Sequence, residues 1–139
     1  MFDNLIDKLN VFPESVKNAI LFLALGWIWH YIALYTNFLK GQIPTRQLII
    51  GASMFFLVHQ MTGKKGWARA LCMLCNVFII VQYLPLVVTF FGGGAFKFGL
   101  IAGLTVLLFS TSTYYFAIKE SSVFFKKQEK QNEESLDKV

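Results

Sequence analysis

The stretch GWIWHYIALYTN, residues 26–37, sets His30 inside a long apolar run. Few other residues could do chemistry there. Cys72 and Cys75 form a C-x-x-C pair in LCMLC, and Ser53, Asn76, Gln82 and Thr105 are neutral polar groups in similar surroundings. An imidazole can carry a proton or bond a neutral partner near physiological pH. A C-x-x-C pair suits dithiol redox chemistry in a soluble protein. Here the pair falls in an apolar segment, and the chain holds only two cysteines. Quinone-coupled membrane thiol oxidoreductases need a further pair, and a closed zinc site takes four ligands. The two thiols are therefore expected to pack, with redox chemistry as the alternative.

Acids are confined to the two ends of the chain, so no Ser-His-Asp set can be drawn. There is no H-E-x-x-H motif and no phosphate-binding glycine loop. The sequence indicates no enzyme, no catalytic residue, no cofactor and no metal site. The same absence of intramembrane carboxylates argues against proton- or cation-coupled export.

The elements that carry these residues follow from composition. Of 139 residues, 55% are hydrophobic and 15% charged, against about 25% charged in ordinary soluble domains. Mean hydropathy is +0.53. Asp, Glu, Lys and Arg are all missing from 20–38, 47–63, 70–96 and 98–118. A bilayer-crossing helix needs roughly 20 apolar residues, so the second run is at the short limit. The expected fold is all-α: a polytopic membrane protein with an antiparallel bundle of four transmembrane helices, over about 15–39, 46–61, 68–91 and 97–119. Thr45 is a plausible N-cap for the second helix, and Pro85 should kink the third. FDNLIDKL, residues 2–9, predicts a short amphipathic helix lying on the membrane face.

Three segments follow: 1–12 as the interfacial helix, 13–119 as the transmembrane domain and 120–139 as a cytoplasmic polar tail. The tail is expected to extend the fourth helix for a turn or two and then to lose order. The net charge is +5 and the pI about 9.3, and topology explains both without a nucleic-acid partner. With the N-terminus in the cytoplasm, Lys8, Lys17, Lys64, Lys65, Arg69, Lys119, Lys126, Lys127, Lys130 and Lys138 lie inside. Only Lys40, Arg46 and Lys97 lie outside, which follows the positive-inside rule. Asp3 and Asp7 stand where a signal peptide would carry basic residues. The expected location is a cell membrane, bacterial inner membrane by this pattern, with both termini cytoplasmic.

Helical periodicity places Gly26, His30, Ala33 and Asn37 within about 60° of one another. Trp27, Tyr31 and Tyr35 form a separate aromatic ridge. Small and polar residues favour helix–helix contact in lipid, so the stripe should face protein and the ridge lipid or another subunit. His30, Ser53, Asn76, Gln82 and Thr105 fall within about 5 Å of one depth. A mid-membrane polar layer is expected from them, read first as an interhelical hydrogen-bond network. A solute or ion path and a pH-sensing histidine are the alternatives. Gly99-x-x-x-Gly103 could serve packing within the chain or dimerisation equally well.

Taken together, these features suggest a non-enzymatic membrane protein acting through helix–helix contacts, as an accessory, assembly or regulatory subunit. Its expected partners are the lipid bilayer and either another membrane protein or itself. The alternative is a homo-oligomeric channel or facilitator for a small solute or ion.

Overall fold

A computed structural model describes residues 11–38, 44–62 and 66–136. The interfacial helix expected for 1–12 lies outside them except for Val11 and Phe12. The described residues form five α-helices and no strand: α1 Glu14–Ala33, α2 Thr45–Thr62, α3 Gly66–Gly92, α4 Phe96–Ala117 and α5 Lys119–Leu136. A π-helical turn, Leu34–Phe38, continues α1.

Three of these are long and apolar enough to cross a membrane: Glu14–Thr36, Gly66–Gly92 and Phe96–Ala117. In their most apolar stretches only 28, 22 and 28% of residues are buried, so most of their apolar side chains face outward. Ile28, Phe78 and Leu100 are 59, 61 and 65% exposed. Apolar patches of that extent are rare on soluble monomers, and a helix apolar on all sides belongs in lipid or a core. The chain is a membrane protein.

Local chemistry sets the helix ends. The Pro13 carbonyl accepts from Val16 and Lys17 N–H at 3.0 and 3.1 Å, and Glu14 in the first turn pairs with Lys17 at 2.9 Å. Acidic residues favour that position because unpaired N–H groups make it positive. In α2, Thr45 is already helical. Pro44 supplies the carbonyl that Gln47 N–H meets at 2.8 Å, so proline takes the place expected for a threonine cap. Helix α3 runs through Pro85 as far as Gly92. Gly94, at φ 76°, then lets the chain reverse in a left-handed conformation that residues with a Cβ disfavour.

Helix α4 is the centre of the bundle and packs against both α1 and α3, while α2 packs mainly against α3. Its inward face is Gly99, Ala102, Thr105, Phe109, Ser112 and Phe116, one residue per turn at steps of three or four. Helix α3 answers with Ala68, Cys72, Asn76, Ile79 and Tyr83. After a break at Ile118 (φ −54°, ψ 144°), α5 runs far beyond the turn or two of helix expected there. Its first turns dock: Phe125 packs with Phe12 and Val16. The Ser121 hydroxyl donates to the Tyr115 carbonyl at 2.8 Å and pairs with the Ser15 hydroxyl at 3.0 Å. Arg69, at the start of α3, stacks its guanidinium 5.5 Å from the Phe125 ring centre, a favourable cation–π geometry.

Candidate functional site

Besides the Ser15–Ser121 pair, the buried polar side chains form two hydrogen-bonded groups and one self-satisfied hydroxyl, Thr105. In the first group, His30 on α1 and Tyr83 on α3 are both buried, and the Tyr83 hydroxyl lies 2.8 Å from His30 Nδ1. If Nδ1 carries no proton, the phenol donates to it. Trp27 and Tyr31 pack edge-on or tilted around the pair, Trp27 meeting the His30 ring edge-on at 5.5 Å. Gln47, on α2, lines the same cleft as His30 and Tyr83.

In the second group, Asn76 Nδ2 donates to the Ser112 hydroxyl at 3.2 Å, and that hydroxyl donates to the Ala19 carbonyl at 2.9 Å. Asn76 and Ser112 are fully buried. One short chain of bonds therefore joins α3, α4 and α1. Among the described residues, Asn76 Oδ1 has no hydrogen-bond partner, and neither has the Trp27 indole N–H. Interiors seldom leave such groups unmet.

Thr105 is buried and bonds back to the Ile101 carbonyl at 3.0 Å. The Trp29 indole N–H reaches the same carbonyl at 3.3 Å, a second tie between α1 and α4. Ser53 is exposed and bonds back to the Ile49 carbonyl at 2.9 Å. Gln82 is exposed on α3 and lines a cleft of about 240 Å³ with His30, Leu34, Gln47, Tyr83 and Leu86. The structure thus brings His30 and Gln82 to one cleft, and sets Asn76 apart with Ser112. Thr105 and Ser53 spend their hydroxyls within their own helices, as hydroxyls in apolar helices commonly do.

The residues singled out for packing also divide. Gly26 and Ala33 are buried beside His30 on one face of α1, whereas the Asn37 side chain lies outside the described residues. A Cβ on Gly26 would stand 3.3 Å from Phe109 Cζ, so the missing side chain admits that ring. Gly99 is buried, and a Cβ there would meet the Phe91 ring at 3.0 Å. At Gly103 a Cβ would meet nothing within 4 Å. Of the G-x-x-x-G pair, only Gly99 is in close contact, while Gly103, one turn on, borders open space. Trp27, placed on the outer ridge by periodicity, is buried and meets Phe109 edge-on at 5.7 Å. A long side chain covers surface away from its own Cα direction. Tyr35 is exposed, as is usual for an interfacial ring.

Sequence reasoning missed Tyr83, Ser112 and Gly51. Tyr83 and Ser112 each lie seven residues, two turns, beyond Asn76 and Thr105, and so share their buried faces. Gly51 matters because the Tyr31 hydroxyl donates to the Gln47 carbonyl at 2.5 Å, lying where a Gly51 side chain would be. A Cβ there would come within 2.9 Å of Tyr31 Cζ. The thiols of Cys72 and Cys75 are free; Cys72 is buried and Cys75 half-buried. Among the described residues no three metal-ligating side chains come together. No protein-family model, curated protein sequence or solved structure matches this chain.

Proposed function

We propose that this protein is a non-enzymatic, four-span membrane protein that works through helix–helix contacts, as an accessory, assembly or regulatory subunit of a membrane complex. One observation carries the reading. The buried side chains Asn76, Ser112, Thr105, Ser121 and the His30–Tyr83 pair each make a bond to one another, to another side chain or to backbone. Groups used that way fasten helices and leave few polar atoms to line a passage.

Helix α2 as a fourth crossing is supported by its length and its ends. Its 18 residues span about 27 Å at 1.5 Å per residue, close to the roughly 30 Å of a hydrocarbon core. The Tyr31–Gln47 bond ties its start to the far end of α1. Arg69, just after it, reaches the Phe116 carbonyl near the start of α1 and the docked part of α5. These two ties support a fourth crossing by α2 over the thickness that α1 spans. Both termini then lie on one side with Lys17, Arg69, Lys119, Lys126, Lys127 and Lys130. That side is the cytoplasm by charge, and a bacterial inner membrane is the location we favour.

The open notch at Gly103, on the same α4 surface as exposed Leu100, Leu104 and Leu107, is the contact face we assign to the partner. Purification in several mild detergents should yield a complex of fixed stoichiometry with a different membrane protein. Gly103→Leu should abolish that complex while leaving the isolated chain folded. Recovery only as a monomer in every detergent, or a complex indifferent to Gly103→Leu, would contradict the reading. A second reading, a facilitator for a small neutral solute, is favoured by the cleft that gathers His30, Gln47 and Gln82.

A further inference from the structure

The polar cleft has an apolar neighbour along the same pair of helices. A second cleft of about 550 Å³ is walled by Trp27, Ile50, Leu74, Val77, Phe78 and Val81. Three helices change character together within a turn: His30 gives way to Trp27 on α1, Gln47 to Ile50 on α2, and Gln82 to Val81 and Phe78 on α3. The two linings lie within one turn of each other on each helix, and a long ligand could span them as one amphipathic groove. Its residues on α3, Leu74 to Leu86, cover about 18 Å at 1.5 Å per residue, a little over half of a roughly 30 Å hydrocarbon core. Its polar end lies toward the end of the bundle where α3 turns into α4, and Gln47 there belongs to the first turn of α2. Arg46 beside it is exposed, and a charge at a helix end belongs near the membrane surface, so the polar end is the one nearer the lipid ester groups, with the chains running inward from it. Among the described residues, no Lys, Arg, Asp or Glu lines either cleft.

We infer that this groove binds one glycerolipid of the adjacent leaflet. The Gln47 and Gln82 amide N–H groups donate to an ester carbonyl at the polar end, and the acyl chain lies along Ile50, Trp27, Val81, Val77 and Leu74. An ester oxygen only accepts, and two side-chain amides supply the donors. With no ionised side chain among the described lining residues, recognition falls on ester and chain rather than on headgroup charge. The inference is independent of the partner reading, which uses the Gly103 face.

The test is lipid retention by the full chain in mild detergent, read by native mass spectrometry and by the shift in Tm. A diester phosphatidylcholine and a diether lipid of the same headgroup and chain length are compared. The diester should be retained and should raise Tm. The diether should bind about thirtyfold more weakly, as the loss of two net hydrogen bonds implies. Gln47→Leu/Gln82→Leu should erase that preference. Val81→Trp, at a position 61% exposed and so tolerant of size, should fill the groove and expel both lipids. Equal retention of diester and diether by the unmodified chain would overturn the inference. So would an ester preference that survives the double substitution, or lipid binding unchanged in Val81→Trp with native helicity.

Discussion

Helices α4 and α2 lie in the same small bundle and are held in different ways. Helix α4 packs extensively against both α1 and α3. The Phe109 ring seats on Gly26, the Asn76–Ser112–Ala19 bonds link all three helices, and Trp29 caps the Ile101 carbonyl. Helix α2 is tied to α1 by a hydroxyl bond at one end. Apolar clefts of about 320 and 550 Å³ open beside it, on its α1 and α3 sides. Lipid tails are as apolar as leucine, so burial alone does not draw helices together in a bilayer. Close approach at small residues and interhelical hydrogen bonds do. Where both are present the helix seats tightly; where they are sparse it stands off and lipid-sized grooves remain.

The sharpest way to break this contrast is to empty the tight side. Phe109→Ala removes a fully buried ring and should cost about 3–5 kcal/mol, seen as a large fall in thermal stability in detergent. Phe55→Ala on α2, where the ring is 79% exposed, should change stability by less than about 0.5 kcal/mol. Overfilling comes next. Gly26→Leu drives a side chain into the Phe109 ring and should cost about 1–3 kcal/mol. Equal losses from the two phenylalanine substitutions would erase the distinction between the helices.

Smaller effects refine it. A double-mutant cycle of Asn76→Val and Ser112→Ala should give a coupling near 0.6 kcal/mol and no more than about 1.7 kcal/mol, the range measured for bonds of this kind. Zero coupling would remove the bond from the packing argument. Gly51→Ala pushes the Tyr31 ring off α2. Its cost, about 1 kcal/mol or less because a side chain can yield, should shrink in a Tyr31→Phe background, where the hydroxyl is gone. Additive losses would show that Tyr31 and Gly51 do not share the contact.

Much of the fold was legible because charge-free runs have a direct physical cause. Lipid excludes ionised groups, so the gaps between them outline helices. Gly26, His30 and Ala33 could be grouped by period alone, and they do share a buried face. Partners were harder. Depth arithmetic selected Gln82 as a polar group near mid-membrane, while the residue that turns inward is its neighbour Tyr83, about 100° further round the helix. Extending Asn76 by two turns would have found it. A rotation error of one residue exchanges the buried face for the exposed one, and the apolar surface on every side of these helices gives no moment to correct it. The tail hid its docking for a different reason. Two adjacent phenylalanines among charges look negligible in composition, yet Phe125 is buried against Phe12 and beneath Arg69.

The claim that the intramembrane polar residues fasten helices rather than conduct is tested most directly by flux through proteoliposomes. The unmodified protein and its His30→Ala and Gln82→Ala variants would be compared for ions, water and small neutral solutes. If those residues serve packing, none of the three proteins conducts above empty liposomes, and His30→Ala differs only by a lower Tm. Solute flux in the unmodified protein that falls in His30→Ala or Gln82→Ala would contradict it.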